Sequence, residues 1–287
     1  MNVLVLGASG MLGNAVVRVL SENSHLAVFG TVRAEPSKRF FNESIAKRLL
    51  SGVDVEQQDS LTQAFVHTRP DVVINCVGLI RKLSDVSDPL QAIPINSLLP
   101  HRLAHLCELS GARLIHISTD CVFNGDKGGY TESDSFDAKN LYGISKYLGE
   151  VSNPHTITLR TSIIGHELQG AHSLVDWFLS QETKCNGYTR AIFSGLPTVV
   201  LAQLIRDVVI PEEMLSGVYH VAAKPINKYE LLKLIAEVYG KSIQIIPDDK
   251  LVIDRSLNAD KFRIATGYVA PEWPILIRTM RSYKKSV

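Results

Sequence analysis

Little in this chain marks it for a membrane, a disulfide scaffold or a nucleic acid. Its 287 residues include only four cysteines, Cys76, Cys107, Cys121 and Cys185, with no C-x-x-C pair among them. That scatter fits neither a disulfide framework nor a zinc site, so the four read as buried free thiols and no metal is expected. No apolar run approaches the length of a spanning helix, and the opening apolar run 1–6 ends at Gly7, too short for the core of a signal peptide. The expected location is the cytoplasm. An excess of one charge is lacking too: 30 Lys and Arg face 29 Asp and Glu, a net charge of +1. Such a balance exerts no global pull on nucleic acid or anionic membrane, so electrostatics must act locally.

What remains is an ordinary globular composition, 45% apolar and 21% charged, long enough for one large α/β domain with a smaller appended region. Residues 3–6 read as a fully buried strand, 12–20 as a helix with one apolar face and 26–31 as a second strand. Further strand signals at 53–56, 72–75, 114–118 and 156–160 alternate with helical stretches at 61–67, 98–110 and 141–151. This rhythm predicts a parallel, doubly wound sheet. The pattern loosens between Gly165 and Thr198, where substrate-facing insertions are expected. Helical periodicity returns at 201–210 and 228–239, and 217–222 between them looks like a strand that rejoins the main sheet.

Gly7-Ala8-Ser9-Gly10-Met11-Leu12-Gly13 follows the first strand and opens the first helix. Gly7 permits a tight turn, Gly10 removes a side chain where a pyrophosphate would approach, and Gly13 lets helix and strand pack closely. The N–H groups around Ser9, Met11 and Leu12 at the helix start then favour an anion. Where a NAD site usually places an acid, at the end of the second strand, this chain carries Arg33. A guanidinium suits a 2′-phosphate, which favours NADP; Glu35 leaves NAD open.

Tyr142 and Lys146 stand four residues apart, a spacing that stacks both on one helix face. Free Tyr titrates near ~10 and Lys near ~10.4, so an ammonium beside the phenol would draw it toward working pH and make it an acid–base catalyst. The spacing alone is also common on solvated helices.

The glycine turn, Asn75-Cys76-Val77-Gly78, Ser118-Thr119-Asp120-Cys121-Val122-Phe123-Asn124-Gly125 and Tyr142-Gly143-Ile144-Ser145-Lys146 occur in that order. Together they make the chain resemble the extended short-chain dehydrogenase/reductases, in particular the dTDP-4-dehydrorhamnose reductase branch, from Met1 to about Arg263. The resemblance implies a Rossmann-like sheet with a smaller C-terminal substrate-binding lobe. We divide the chain into a nucleotide-binding domain over 1–165 and an interleaved lobe over 166–287. It further implies Thr119 as the hydroxyl on the reacting carbonyl, Tyr142 as proton donor and Lys146 as the cation on the nicotinamide ribose. Asp59 matches the position against adenine, Asn75, Cys76, Val77 and Gly78 the loop past the ribose, and Asn96 a helix-embedded Asn; Asp59 reads equally as a helix cap. Asp120 and Arg255 match substrate-facing positions, Arg160 reads equally as substrate-facing or structural, and Lys224 and Lys228 are alternative cations for a diphosphate.

The implied activity is NAD(P)H-dependent reduction at C4 of a nucleotide-activated 4-keto-6-deoxy sugar, in surface-polysaccharide or nucleotide-sugar biosynthesis; a homodimer is the assembly left open. Cys121 replaces the Tyr usual after the Thr-Asp pair and leaves the sugar undetermined. Two other readings stand. One is a nucleotide-sugar epimerase, although the acidic pair of dehydratases is absent after Thr119. The other is a non-catalytic NADP-binding subunit similar to the β subunit of methionine adenosyltransferase.

Overall fold

The computed structural model describes residues 1–79, 88–171 and 173–285. Seven strands, β1 (Asn2–Leu6), β2 (Ala27–Val32), β3 (Leu49–Ser51), β4 (Val72–Asn75), β5 (Arg113–Thr119), β6 (Thr156–Thr161) and β7 (Gly217–His220), form one sheet in the order β7-β6-β5-β4-β1-β2-β3. Every neighbouring pair is parallel. The main helices are α1 (Met11–Ser21), α2 (Gln58–Thr68), α3 (Leu99–Ser110), α4 (Leu141–Leu148), α5 (Thr198–Leu204), α6 (Lys228–Tyr239) and α7 (Trp273–Lys285).

Alternation along the strands decides the layering, because successive side chains point to opposite faces. Val3 and Val5 join Val16 and Leu20 of α1, Leu201 of α5 and Ile277 of α7, while Leu4 and Leu6 join Leu61 and Phe65 of α2 and Leu103 of α3. Strands covered on both sides favour apolar residues on both faces, which is why β1 and β4 read as runs of Val, Ile and Leu. No helix among the described residues is long and apolar enough to cross a membrane.

The strand order reverses between β1 and β4, and in such sheets ligands bind outside the carboxyl ends at that point. The loops after β1 and β4 touch there: a Cβ on Gly7 would lie 3.0 Å from Val77 Cγ2. The chain beyond residue 165 builds small sheets that pair Lys184–Tyr188 with Gln244–Asp248, and Ala191–Phe193 with Ile226–Asn227 and Ile253–Asp254. It also returns β7 to the edge of the main sheet, beside β6.

The third strand lies earlier than its sequence signal at 53–56. Leu49–Ser51 pairs with β2, and the following residues turn because Asp54 Oδ1 accepts the Glu56 N–H at 3.0 Å and the Asp54 carbonyl accepts the Gln57 N–H. An Asp side chain bonded to backbone two residues on outcompetes extension.

Candidate active site

The glycine turn has the geometry its spacing demands. Gly7 adopts φ +81°, and a Cβ on Gly13 would sit 2.1 Å from the Gly7 carbonyl oxygen, so only glycine lets α1 pack this close. Gly10 is the N-cap of α1 and contributes no side-chain cap, leaving the first-turn N–H groups of Met11, Leu12 and Gly13 available to an anion. Ser9 is exposed at this mouth, whereas the Leu12 side chain anchors in the core. Thr31 ties the turn to β2, its Oγ1 accepting from the Gly7 N–H and its carbonyl from the Ala8 N–H.

Arg33 follows directly and is exposed. Glu35, the acid nearby, is engaged by Lys38 at 3.1 Å and by Ser51, and those hydrogen bonds hold its carboxyl below the usual range. Asp59 is exposed in the first turn of α2, but the N-cap is Gln57, so the capping reading of Asp59 fails.

The loop after β4 is pinned from two sides. Asn75 is buried; its Oδ1 accepts the Val77 N–H at 3.1 Å and its Nδ2 meets His116 Nδ1 at 3.2 Å. Burial pushes the Cys76 thiol up to about 12. Asn96 lies in a π-helical turn, Ile93–Leu98, accepts the Leu79 N–H at 2.9 Å and donates to Ser145 Oγ of α4 at 3.2 Å. Gly78 stands between Asn96 Oδ1 and Lys146 Nζ, both within 4 Å of where its Cβ would be.

The chemistry-bearing side chains converge on the carboxyl end of β5. Thr119 Oγ1 donates to Asp120 Oδ1 at 3.1 Å and accepts the Cys121 N–H, and the Tyr142 phenol is close enough to feel both Thr119 and Asp120. Burial pushes the phenol well above its ordinary value, Cys121 and Asp120 adding to the effect and Thr119 and Arg255 opposing it. Lys146 is 5% exposed and its ammonium donates to the Ile117 carbonyl at 2.8 Å; burial lowers it to about 8, with the Glu150 carboxylate opposing. The sequence expectation that Lys146 draws the phenol toward neutral pH is therefore corrected in this structure: burial dominates, and Tyr142 is held as an acid.

Asp120 is raised by burial, with Arg255 and Lys228 opposing, so two cations reach this corner. Arg255 arrives because 254–258 is zipped to the loop at 125–130: Asp254 N–H to Gly125 carbonyl at 2.7 Å, Tyr130 N–H to Ser256 carbonyl at 2.9 Å and Asn258 N–H to Tyr130 carbonyl at 2.7 Å. Its Nε donates to the Phe123 carbonyl and Nη1 approaches Cys121 Sγ at 3.8 Å.

The profile of the RmlD substrate binding domain matches residues 1–252. This chain belongs to the RmlD substrate binding domain family. A probable low-salt glycan biosynthesis reductase, Agl14, from Haloferax volcanii is 30% identical over 92% of this chain and 87% of its own length. Methionine adenosyltransferase 2 subunit beta from Danio rerio is 29% identical over 85% of this chain and 76% of its own length. Among solved structures, dTDP-4-dehydrorhamnose reductase from Bacillus anthracis, in complex with NADP, superposes with a TM-score of 0.79 at 22% identity over 98% of this chain and 99% of that one, and so shares the fold.

In this RmlD-family chain, Thr119, Asp120, Cys121, Tyr142 and Arg255 form one corner, and Lys146, Asn96, Gly78 and Cys76 the wall beside it. Arg160 does not belong there. Its guanidinium is 6% exposed, bidentate to Glu150 at 2.8 and 2.6 Å, and stacked over Phe123, so it is removed from the substrate-facing set. Lys224 is paired with Glu272 at the surface, whereas Lys228 is brought toward Asp120. Sequence reasoning missed Glu150, Ser118 and Ser145. The Lys146-x-x-x-Glu150 spacing repeats that of Tyr142 and Lys146 and was the available signal.

Proposed function

We propose that this protein is an NADPH-dependent reductase acting at C4 of a nucleotide-activated 4-keto-6-deoxy sugar. The observation that carries the reading is the meeting of Tyr142, Thr119 and Asp120 at the carboxyl end of β5, two strands from the glycine turn. The uncapped N–H groups of α1 suit a pyrophosphate, and Arg33, with Glu35 already paired, suits a 2′-phosphate. The complex of the B. anthracis reductase with NADP supports that choice.

When bound, NADPH supplies hydride to the sugar C4 carbon. Thr119 Oγ1 turns its one proton from Asp120 to the C4 oxygen, and Tyr142, a neutral phenol throughout the physiological range, delivers its proton as the alkoxide forms. Lys146 lends positive charge to the same wall. Arg255 and Lys228 supply the cations that a sugar diphosphate needs. The chain's share of the work is to place an acid, a hydroxyl and cations around a carbonyl shielded from water.

Purified protein mixed with NADPH and a panel of dTDP- and UDP-linked 4-keto-6-deoxy sugars is expected to consume the reduced-nicotinamide absorbance with at least one of them. No consumption with any of them refutes the reading. The similarity to methionine adenosyltransferase subunit beta favours a second reading, a non-catalytic cofactor-binding subunit. That reading requires cofactor binding with no turnover.

A further inference from the structure

Three successive residues of β5 each face one side chain of the segment 142–150. The Ile117 carbonyl accepts from Lys146 Nζ at 2.8 Å, Ser118 Oγ donates to Glu150 Oε1 at 2.7 Å, and Thr119 lies near the Tyr142 phenol. The Glu150 side chain is 6% exposed and receives both Nε and Nη2 of Arg160, whose Nη1 reaches His220 Nε2 at 3.3 Å. A single buried carboxylate is therefore bound directly by one cation and lies within electrostatic reach of a second, held one residue away along β5. The other titratable groups facing Lys146 bring no negative charge. The Cys76 thiol from the loop after β4 is pushed up to about 12, the His116 imidazole from β5 is pushed well below its usual range, and the Tyr142 phenol is raised.

We propose that Glu150 is a positioning residue: fixed by Ser118 and Arg160, its carboxylate is the counter-charge that holds the Lys146 ammonium against Ile117 at the cofactor wall. The interaction with Arg160 ties the end of α4 to β6, so the charge acting on Lys146 is set by the packing of the sheet itself. Without that carboxylate, two buried cations would stand unopposed, and Lys146, the more easily deprotonated, would release its proton at lower pH. The consequence for turnover rests on the reductase reading; the charge relation does not.

The test is a pH titration of cofactor-free protein carrying [13C]lysine, following the Lys146 Cε shift, assigned by its disappearance in Lys146→Met. The wild-type transition is expected near 8. In Glu150→Gln it is expected to fall by roughly one pH unit, the size of effect that a nearby opposite charge exerts. Glu150→Gln leaves a buried guanidinium without its carboxylate, so Glu150→Met combined with Arg160→Met, which exchanges the whole pair for apolar side chains, carries the same expectation should the single variant not fold. Arg160→Met alone, which breaks the same pair but keeps the carboxylate, is expected not to lower the transition. An unmoved transition in a folded variant lacking the carboxylate overturns the proposal, as does an equal fall in Arg160→Met, which would trace the effect to lost packing. Turnover is a separate readout: the alkaline loss of kcat should move with the Lys146 transition. A wild-type protein that consumes no NADPH refutes the reductase reading while leaving the titration result standing.

Discussion

A phenol buried against Thr119, with Cys121 and Asp120 beside it, keeps its proton far into alkaline pH, and that makes Tyr142 an acid at the pH of any plausible assay. Tyr142→Phe removes one hydroxyl and nothing else from this corner. Turnover is expected to fall by roughly 10²- to 10⁴-fold, the usual contribution of a positioned proton donor, while NADPH affinity by fluorescence titration stays unchanged. A purely cofactor-binding subunit would show no functional change. Arg33→Ala is expected to weaken NADPH binding by about tenfold, the loss of one charge-assisted contact, and to spare NADH; equal weakening of both would place Arg33 away from the 2′-phosphate. The placement of Tyr142 and Thr119 at the carboxyl end of β5 is legible in the sequence because short motifs and neighbours in the chain fix it. Glu150 and Arg160 are not, since their roles come from a pairing between the end of α4 and β6 that only the fold creates.

At the scale of elements, glycines set how closely backbones approach the site. A Cβ on Gly143 would lie 2.2 Å from the Cys121 carbonyl oxygen, and one on Gly149 would lie 1.9 Å from that of Asn96. Together these two glycines seat α4 against the turn after β5 and against the π-helical turn that carries Asn96. Gly143→Ala must push α4 away and part Tyr142 from Thr119. Displacement of a catalytic group by about 1 Å costs about 10²-fold, so a loss of that order in kcat, with far-ultraviolet circular dichroism unchanged, is expected; full activity would show the seat to be tolerant. Helix α6 and strand β4 are legible to the residue, since Asn227 caps the one and continuous Val and Ile define the other. The strand signal at 53–56 misleads because its pattern ignores what the Asp54 side chain does to the backbone.

Across the whole molecule, β7 closes the sheet and brings His220 into the interior, 0% exposed. Arg160 donates to its Nε2, so Nδ1 carries the proton and donates to the Tyr130 carbonyl at 3.0 Å, a neutral ring between a cation and a carbonyl. Burial and then Arg160 lower it to about 4, against roughly 6.5 in the unfolded chain. Between those pH values the unfolded state binds more protons, so stability rises with pH through the window and is lost as acid is added. For this group the loss approaches roughly 3 kcal/mol by pH 4, and His116, also lowered, acts in the same direction. Thermal melts should show Tm falling from about pH 6.5 downward, and less steeply in His220→Gln; identical slopes would exclude His220 as a source. The doubly wound order of the sheet is legible from the alternating strand and helix signals. The return of β7 to the main sheet is legible as well, but its place at the edge beside β6 is not, since that pairing spans a chain separation of about sixty residues.

The most direct measurement uses NADPH deuterated at C4 of the nicotinamide, together with the 4-keto sugar nucleotide that gives turnover, and locates the label in the product by mass spectrometry and NMR. The expected result is one deuterium on C4 of the sugar with wild-type protein, and the same label accumulating at least about 10²-fold more slowly with Tyr142→Phe. NADPH oxidation without deuterium at that carbon would contradict reduction at C4.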